Sequence, residues 1–344
     1  MRVAVDAMGG DHGPSVVVPG AVDGARAFDV GLRLVGDPAL VGAALEGLDV
    51  GGLDIEVVPA TDVIGMDEHP AQAVRRKPHS SIVVALRMIK EGNVEAMVSA
   101  GNSGAVMAGA LMVLGRIPGI ERPAIASYMP SGKSRTLVLD LGAVTDPKPE
   151  NIVQFAVMGK VYAERVMDRV DPSVGLLSNG EEPTKGNLFV QAVYPLLAAT
   201  PGIRFHGNVE GKDVALGTVD IVVTDGFTGN VALKTAEGVA TMLTDVLRDE
   251  LTATLPRKLA AFMLRPAFRA VRARLDYAEI GGAPLLGVNG TTIIAHGRSN
   301  QLAIRNAVGV ARRSAEQGLI DGIKSALDEA HAAITAPSPV DARS

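Results

Sequence analysis

The chain reads as an α/β protein, a mostly parallel sheet covered by helices on both faces. Three observations predict this. Short runs rich in β-branched residues recur along its 344 residues and are apolar throughout rather than alternating, as expected of strands buried on both faces. Stretches with apolar positions at three- and four-residue spacing lie between them. Four of the runs end in a polar loop rich in Gly, Asn, Ser or Thr and are followed by an amphipathic stretch, the order of strand, loop and helix in layered α/β folds.

Taken in order, the expected strands are Arg2–Asp6, Leu32–Gly36, Asp54–Val58, Val94–Ser99, Ala124–Met129, Thr136–Asp140, Val174–Ser178, Ile203–His206, Asp220–Thr224 and Thr292–Ala295. Helical periodicity is clearest over Ser80–Glu91, Glu150–Val166 and Val231–Leu251. Ala96–Gly115 carries no charge and is 20 residues long, enough to span a bilayer. Its interior Ser99, Gly101, Asn102, Ser103 and Gly104 instead predict a buried strand, a polar loop and a helix. No repeat, linker or composition break divides the chain, so residues 1–335 are expected to form one domain, with a disordered tail over 336–344.

The four loops are Asp6–Asp11, Ser99–Ala105, Ser178–Asn187 and Thr224–Asn230. If every strand is parallel, all four lie on one carboxyl edge, where open α/β proteins bind ligands. Glycines there let backbone N–H groups approach an anion, and helix N-termini favour negative charge, so phosphate is the expected ligand. Gly9, Gly10, Gly101, Asn102, Ser103, Gly104, Asn187, Thr228 and Gly229, with Asp6 at the first strand's end, are the candidate substrate- and phosphate-binding residues. The same residue types also serve as turn and cap residues, and both uses fit Asn102, Ser103 and Asn230 equally.

Lys185, in a Gly- and Asn-rich loop, is the candidate cation for phosphate or a developing oxyanion. Asp225 places a carboxylate at a strand end, followed by Asn230 at the start of the next helix. Asp6, Asp11 and His12 surround Gly9-Gly10, and a histidine near two carboxylates suits proton transfer or a structural hydrogen bond; His296 follows another apolar run. The remaining histidines have no spacing that suggests a metal site, and no metal or cofactor is expected.

Composition removes several classes. The chain has no cysteine, which excludes a thiol nucleophile and thiolate metal ligands. A net charge of −5 argues against general nucleic-acid binding. The N-terminal strand begins without the basic and apolar parts of a signal peptide, so a cytoplasmic location is expected. Gly9-Gly-Asp-His-Gly13 misses the dinucleotide-binding spacing, and Gly132-Lys133-Ser134 lacks the first glycine of a P-loop. Residues 251–275 stand apart, with six basic residues, no acidic one, and apolar anchors that include Leu259, Phe262, Met263 and Phe268. Such an element suits an anionic membrane surface, an acidic partner, or a packed helical hairpin or dimer contact.

Six segments, Asp6–His12, Ala73–Lys77, Ser99–Ala105, Gly180–Asn187, Thr224–Val231 and Gly281–Gly287, together resemble the bacterial phosphate acyltransferases, the PlsX family, over essentially the whole chain. The resemblance implies a Rossmann-like three-layer α/β/α sandwich that forms a homodimer. It implies that inorganic phosphate attacks the thioester of a long-chain acyl-[acyl carrier protein], yielding acyl phosphate for phospholipid synthesis. Peripheral membrane attachment through the 251–275 projection is implied too, as is cooperation with a membrane acyltransferase that passes the acyl group to glycerol 3-phosphate. In that reaction Lys185, Asn230 and Asn102 stabilise charge, Asp225 orients Lys185 or a loop, and His12 is the candidate acid. The chain departs from the family at Asp140-Leu-Gly-Ala-Val144, where asparagine is usual at the last position. A short-chain acyl-coenzyme A phosphotransacetylase and a non-catalytic, membrane-associated carrier-protein scaffold are the rival readings.

Overall fold

The computed structural model describes residues 1–130, 135–268 and 281–335. Its strands are β1 (Arg2–Asp6), β2 (Gly31–Gly36), β3 (Ile55–Pro59), β4 (Ala96–Ser99), β5 (Ala124–Pro130), β6 (Arg135–Leu139), β7 (Ser173–Leu177), β8 (Arg204–Val209), β9 (Ile221–Val223), β10 (Ala283–Leu286) and β11 (Thr291–Ile294). They form one sheet in the order β3-β2-β1-β4-β11-β10-β5-β6-β9-β7-β8. Every expected strand is present, and β10 is an addition.

The helices are α1 (Pro14–Phe28), α2 (Pro38–Leu45), α3 (Pro70–Arg76), α4 (Ser81–Lys90), α5 (Ser103–Val113), α6 (Pro149–Val166), α7 (Leu188–Ala199), α8 (Gly211–Leu216), α9 (Gly226–Thr252), α10 (Leu255–Met263), α11 (Gln301–Glu316) and α12 (Leu319–Thr335). In the half that holds β1 to β4 and β11, Val3 and Val5 point into a core with Val17 and Val308 of α1 and α11. Ala4 points the other way, into a core with Leu86 and Val106 of α4 and α5. This period-2 split is what a strand covered on both faces requires. The other half packs Leu137, Leu139 and Ile221 against Phe155 and Tyr162 of α6 on one face, and Val138 and Val222 against Val214 of α8 on the other. Each such side chain contributes roughly 1.5–3 kcal/mol on burial, so each half has a core of its own.

The expectation of one shared carboxyl edge is corrected. β3-β2-β1-β4-β11 is parallel, and so is β6-β9-β7-β8. Between them the pairs β11·β10, β10·β5 and β5·β6 are all antiparallel. After three reversals the two parallel blocks run in opposite directions. The loops after β1 and β4 therefore leave one edge, and those after β7 and β9 leave the opposite edge. The physical reason is chain length: residues 130–135 are too few for a parallel crossover, which needs a dozen or more, and dictate a hairpin.

Register brings the two edges together at the centre. Ile294 at the end of β11 pairs with Ala283, and Leu285 pairs with Ile125, which sets Ala283 level with Ser127. One step away, Ala126 pairs with Leu139 at the end of β6. The ends of β11 and β6 thus finish at nearly the same height although they point in opposite directions.

The projection also differs from expectation. It begins in the second half of the 27-residue α9, whose Met242, Leu243, Val246 and Leu247 are exposed, and continues through α10. Leu255, Leu259, Phe262 and Met263 of this hairpin are exposed, Phe262 at 64%, and Phe268 follows at 37%. Residues 269–275 of the basic segment and the 336–344 tail lie outside the described residues. Among the described residues no helix is long and apolar enough to cross a membrane, and Ala96–Gly115 folds as β4, a loop and α5.

Candidate active site

A cavity of about 770 Å³ opens where the two halves meet. Its walls come from the central strands β5 and β10, the residues after β6 and β11, and the first four turns of α9. Of the residues expected to act, Ser103 and Asn230 line it; Lys185, Asp225, His12, Asp6 and the glycines of the first loop do not.

The wall after β6 is organised by Asp140. Its fully buried carboxylate accepts hydrogen bonds from the backbone N–H groups of Ile125 (2.9 Å), Ala143 (3.1 Å) and Val144 (2.7 Å). Burial nevertheless pushes its pKa above the ordinary carboxylate value, because desolvation outweighs those donors. The Val144 carbonyl accepts from the Gly226 N–H at 2.8 Å, so Val144 serves here through its backbone. Gly229 fits because it has no side chain: a Cβ there would lie 1.9 Å from the Asp140 carbonyl oxygen. This contact seats the first turn of α9 against the β6 loop and brings Asn230 beside Gly142.

Asn230 does not cap the helix, one of the two uses considered for it. Asp225 is the cap, its two carboxylate oxygens accepting from the Thr228 N–H (2.8 Å) and the Thr228 hydroxyl (2.7 Å). Asp225 therefore caps α9 and makes no hydrogen bond or ion pair with Lys185 among the described residues. The Asn230 side chain has no hydrogen-bond partner among the described residues and lines the cavity.

On the other edge the loops after β1, β4 and β11 interlock. The Asp6 carboxylate is 1% exposed and accepts from the Ser99 hydroxyl at 2.6 Å and the Met8 N–H at 3.2 Å. A Cβ at Gly9 would lie 2.6 Å from the Gly101 nitrogen, so these loops cross backbone to backbone. Asn102 caps α5 by accepting from the Ala105 N–H at 3.0 Å, and its amide donates to the carbonyls of Gly65, Met66 and Glu68. Its donors are engaged within the fold, which corrects its assignment to charge stabilisation. Gly104 packs against Pro70, and His12 is exposed with its carbonyl accepting from the Ser15 hydroxyl.

Burial raises the pKa of Asp6, so its native carboxyl takes up a proton at higher pH than the unfolded chain does. Its contribution to stability then falls as pH rises from the ordinary carboxylate range through the raised native value. Asp6→Asn lacks this dependence. Urea unfolding of both proteins should show the stability difference moving in favour of the wild type on acidification from about pH 7 to about pH 4.5.

Lys185 lies on the exposed loop after β7, separated from β6 by β9, and its ammonium has no partner among the described residues. Gly186 on this loop takes φ +94°, and Asn187 caps α7 through the Val190 N–H at 2.9 Å. Nearby, the exposed Glu181, the half-buried Glu210 and the buried Asp213 converge, with Lys212 ion-paired to the first two.

Sequence reasoning missed Lys234, Glu237 and Arg298, all in the cavity wall, and placed His296 only loosely. Two cations against one carboxylate make the lining attractive to an anion. The signal for Lys234 was available: it stands four residues after Asn230 and so shares its helix face. His296 accepts from the Arg298 N–H through Nδ1 at 3.1 Å. Its pKa is lowered by burial and then by the nearby Lys234 ammonium, so the ring is neutral near pH 7.

Comparison with known proteins identifies the family. Residues 1–321 match the family described as "Fatty acid synthesis protein". The chain is 50% identical over 328 residues to the phosphate acyltransferase of Desulfitobacterium hafniense, covering 95% of this chain and 98% of that protein. It is 49% identical over 328 residues to that of Pelotomaculum thermopropionicum, covering 95% of each. Its fold resembles a phosphotransacetylase from Streptococcus pyogenes, with TM-score 0.65, 15% identity, and 92% and 94% of the two chains covered. EutD phosphotransacetylase from Staphylococcus aureus gives TM-score 0.61 at 14% identity with the same coverage. The chain therefore belongs to the phosphate acyltransferase family, and it is an enzyme that transfers an acyl group to phosphate.

Proposed function

We propose that the acyl donor is a long-chain acyl-[acyl carrier protein] and that the product, acyl phosphate, feeds phospholipid synthesis. The observation that carries this reading is the composition of the central cavity. It joins a polar, cationic region at Asn230, Lys234 and Arg298 to an apolar wall of Leu141, Leu233, Ala236 and Ala240. A phosphate suits the first and an acyl chain the second, and the volume is in the range of small-molecule sites.

In the reaction a phosphate oxygen bonds to the thioester carbonyl carbon and the carbon–sulfur bond breaks. The carrier thiolate leaves with the electron pair and takes a proton from water. The protein's task is to hold an anionic nucleophile against a carbonyl that itself becomes an oxyanion, which needs fixed donors more than an acid. Asn230 is the donor best placed for this. Incubation with palmitoyl-[acyl carrier protein] and inorganic phosphate should release the carrier thiol in a phosphate-dependent manner and form a hydroxylamine-trappable product. Turnover with acetyl-coenzyme A and none with the carrier thioester would favour the short-chain phosphotransacetylase instead, and no turnover with either would leave the scaffold.

The exposed apolar face of α9 and α10 supports peripheral attachment to an anionic membrane on the cytoplasmic side, where an acyl phosphate could pass to the membrane acyltransferase. The same face also suits a homodimer contact. Phe262→Asp with Phe268→Asp should abolish cosedimentation with phosphatidylglycerol vesicles while sparing turnover of the soluble carrier substrate. A shift from dimer to monomer in light scattering, with vesicle binding retained, would assign the face to self-association.

A further inference from the structure

We propose that Lys234, and not Lys185, is the catalytic cation that contacts the attacking phosphate, a reading that rests on the acyl-transfer site described above. Lys234 lies one helical turn beyond Asn230, and both line the cavity. Asn230 and Lys234 stand four residues apart on α9 and so share one helix face.

One group holds the Lys234 ammonium in place and a second stands beside it. Glu237, three residues on, accepts from Nζ at 2.9 Å. His296 arrives from the opposite half of the sheet and sets Nε2 3.5 Å from the same nitrogen. An ammonium has three donors, and Glu237 takes one of them. The His296 ring is itself fixed by the Arg298 backbone N–H on Nδ1, so the neutral ring carries its proton on Nε2 and faces the cavity beside Lys234 as a second donor, not as an acceptor for the ammonium.

A surface lysine ion-paired at i,i+3 is commonplace and worth little by itself. Lys234 departs from that case because the contact with His296 crosses the seam and because its surroundings are the cavity wall. The side chain is half exposed, at 51%, and that exposure leaves it accessible to a ligand in the cavity. Lys185 has neither property: it is outside the lining and no second element approaches its ammonium among the described residues.

The test compares Lys234→Gln, Lys234→Arg and Lys185→Gln in two assays. In turnover of palmitoyl-[acyl carrier protein] with varied phosphate, Lys234→Gln should lower kcat/KM for phosphate by at least about tenfold, Lys234→Arg should recover part of it, and Lys185→Gln should stay within about threefold. In the second assay the thermal midpoint is followed against inorganic phosphate alone. Wild type and Lys185→Gln should show a phosphate-dependent rise that Lys234→Gln loses.

A Lys234→Gln value within about threefold of wild type, or a loss confined to KM for the acyl donor, overturns the inference. If wild type fails to turn over the carrier thioester yet keeps a phosphate shift that Lys234→Gln loses, the acyl-carrier reading falls and the lysine assignment stands. If wild type shows neither turnover nor shift, both fall.

Discussion

Gly229→Ala should destabilise the protein by about 3 kcal/mol and lower its activity with it. The added methyl would stand 1.9 Å from the Asp140 carbonyl oxygen, far inside contact distance, and the obstacle is backbone that cannot rotate away. Either α9 lifts off the β6 loop or that loop moves and drags the buried Asp140 carboxylate from its three backbone donors. Gly238→Ala, in the same helix, supplies the contrast. Nothing lies within 4 Å of its Cβ position, so it should gain about 0.5–1 kcal/mol from the better helix former. Urea unfolding of the two variants measures the difference directly, and a Gly229→Ala midpoint equal to wild type would show that α9 is not seated as described.

Asn230→Ala should lower kcat by about a hundredfold at saturating phosphate and carrier substrate while leaving the unfolding midpoint unchanged. Its side chain faces the cavity beside Gly142 and makes no hydrogen bond within the fold among the described residues, so its removal breaks nothing structural. A donor fixed at the reacting centre counts for far more than the same donor in water because its orientation is set in advance. Asn230→Asp, of the same shape, should be slower still, since a carboxylate repels both the phosphate and the developing oxyanion. A kcat for Asn230→Ala near the wild-type value would remove Asn230 from the chemistry.

The strands were legible because burial on both faces leaves a compositional mark: Val3, Ala4 and Val5 are all fully buried and all apolar. β10 left no such mark. Its Ala283-Pro-Leu-Leu286 follows two glycines and carries a proline, which reads as a turn, and only pairing with β11 and β5 makes it a strand. Strand direction was legible in principle from the short link between β5 and β6, and passing over it led to the single shared edge. The loop residues were found by type, yet type does not separate a cap from a ligand. Asn102 and Asn230 have the same side chain, and three carbonyls occupy one while the other faces the cavity. Lys185 stood out by its glycines and Lys234 lay unmarked in a helix, because convergence of α9 with His296 depends on contacts across the seam.

The order of strands has a consequence for how the chain is made. The β10·β11 hairpin sits between β4 and β5 but comes from residues 283–294, close to the end of the sequence. Until it leaves the ribosome, β4 and β5 are bare outer strands, each offering unpaired N–H and C=O groups to any neighbouring chain. The wall that carries His296 is also missing until then. Synthesis that stalls before the hairpin emerges would also leave the first half without α11 over one face of its core, with no cavity and two sticky edges, whereas the residues that follow close both edges and complete the site.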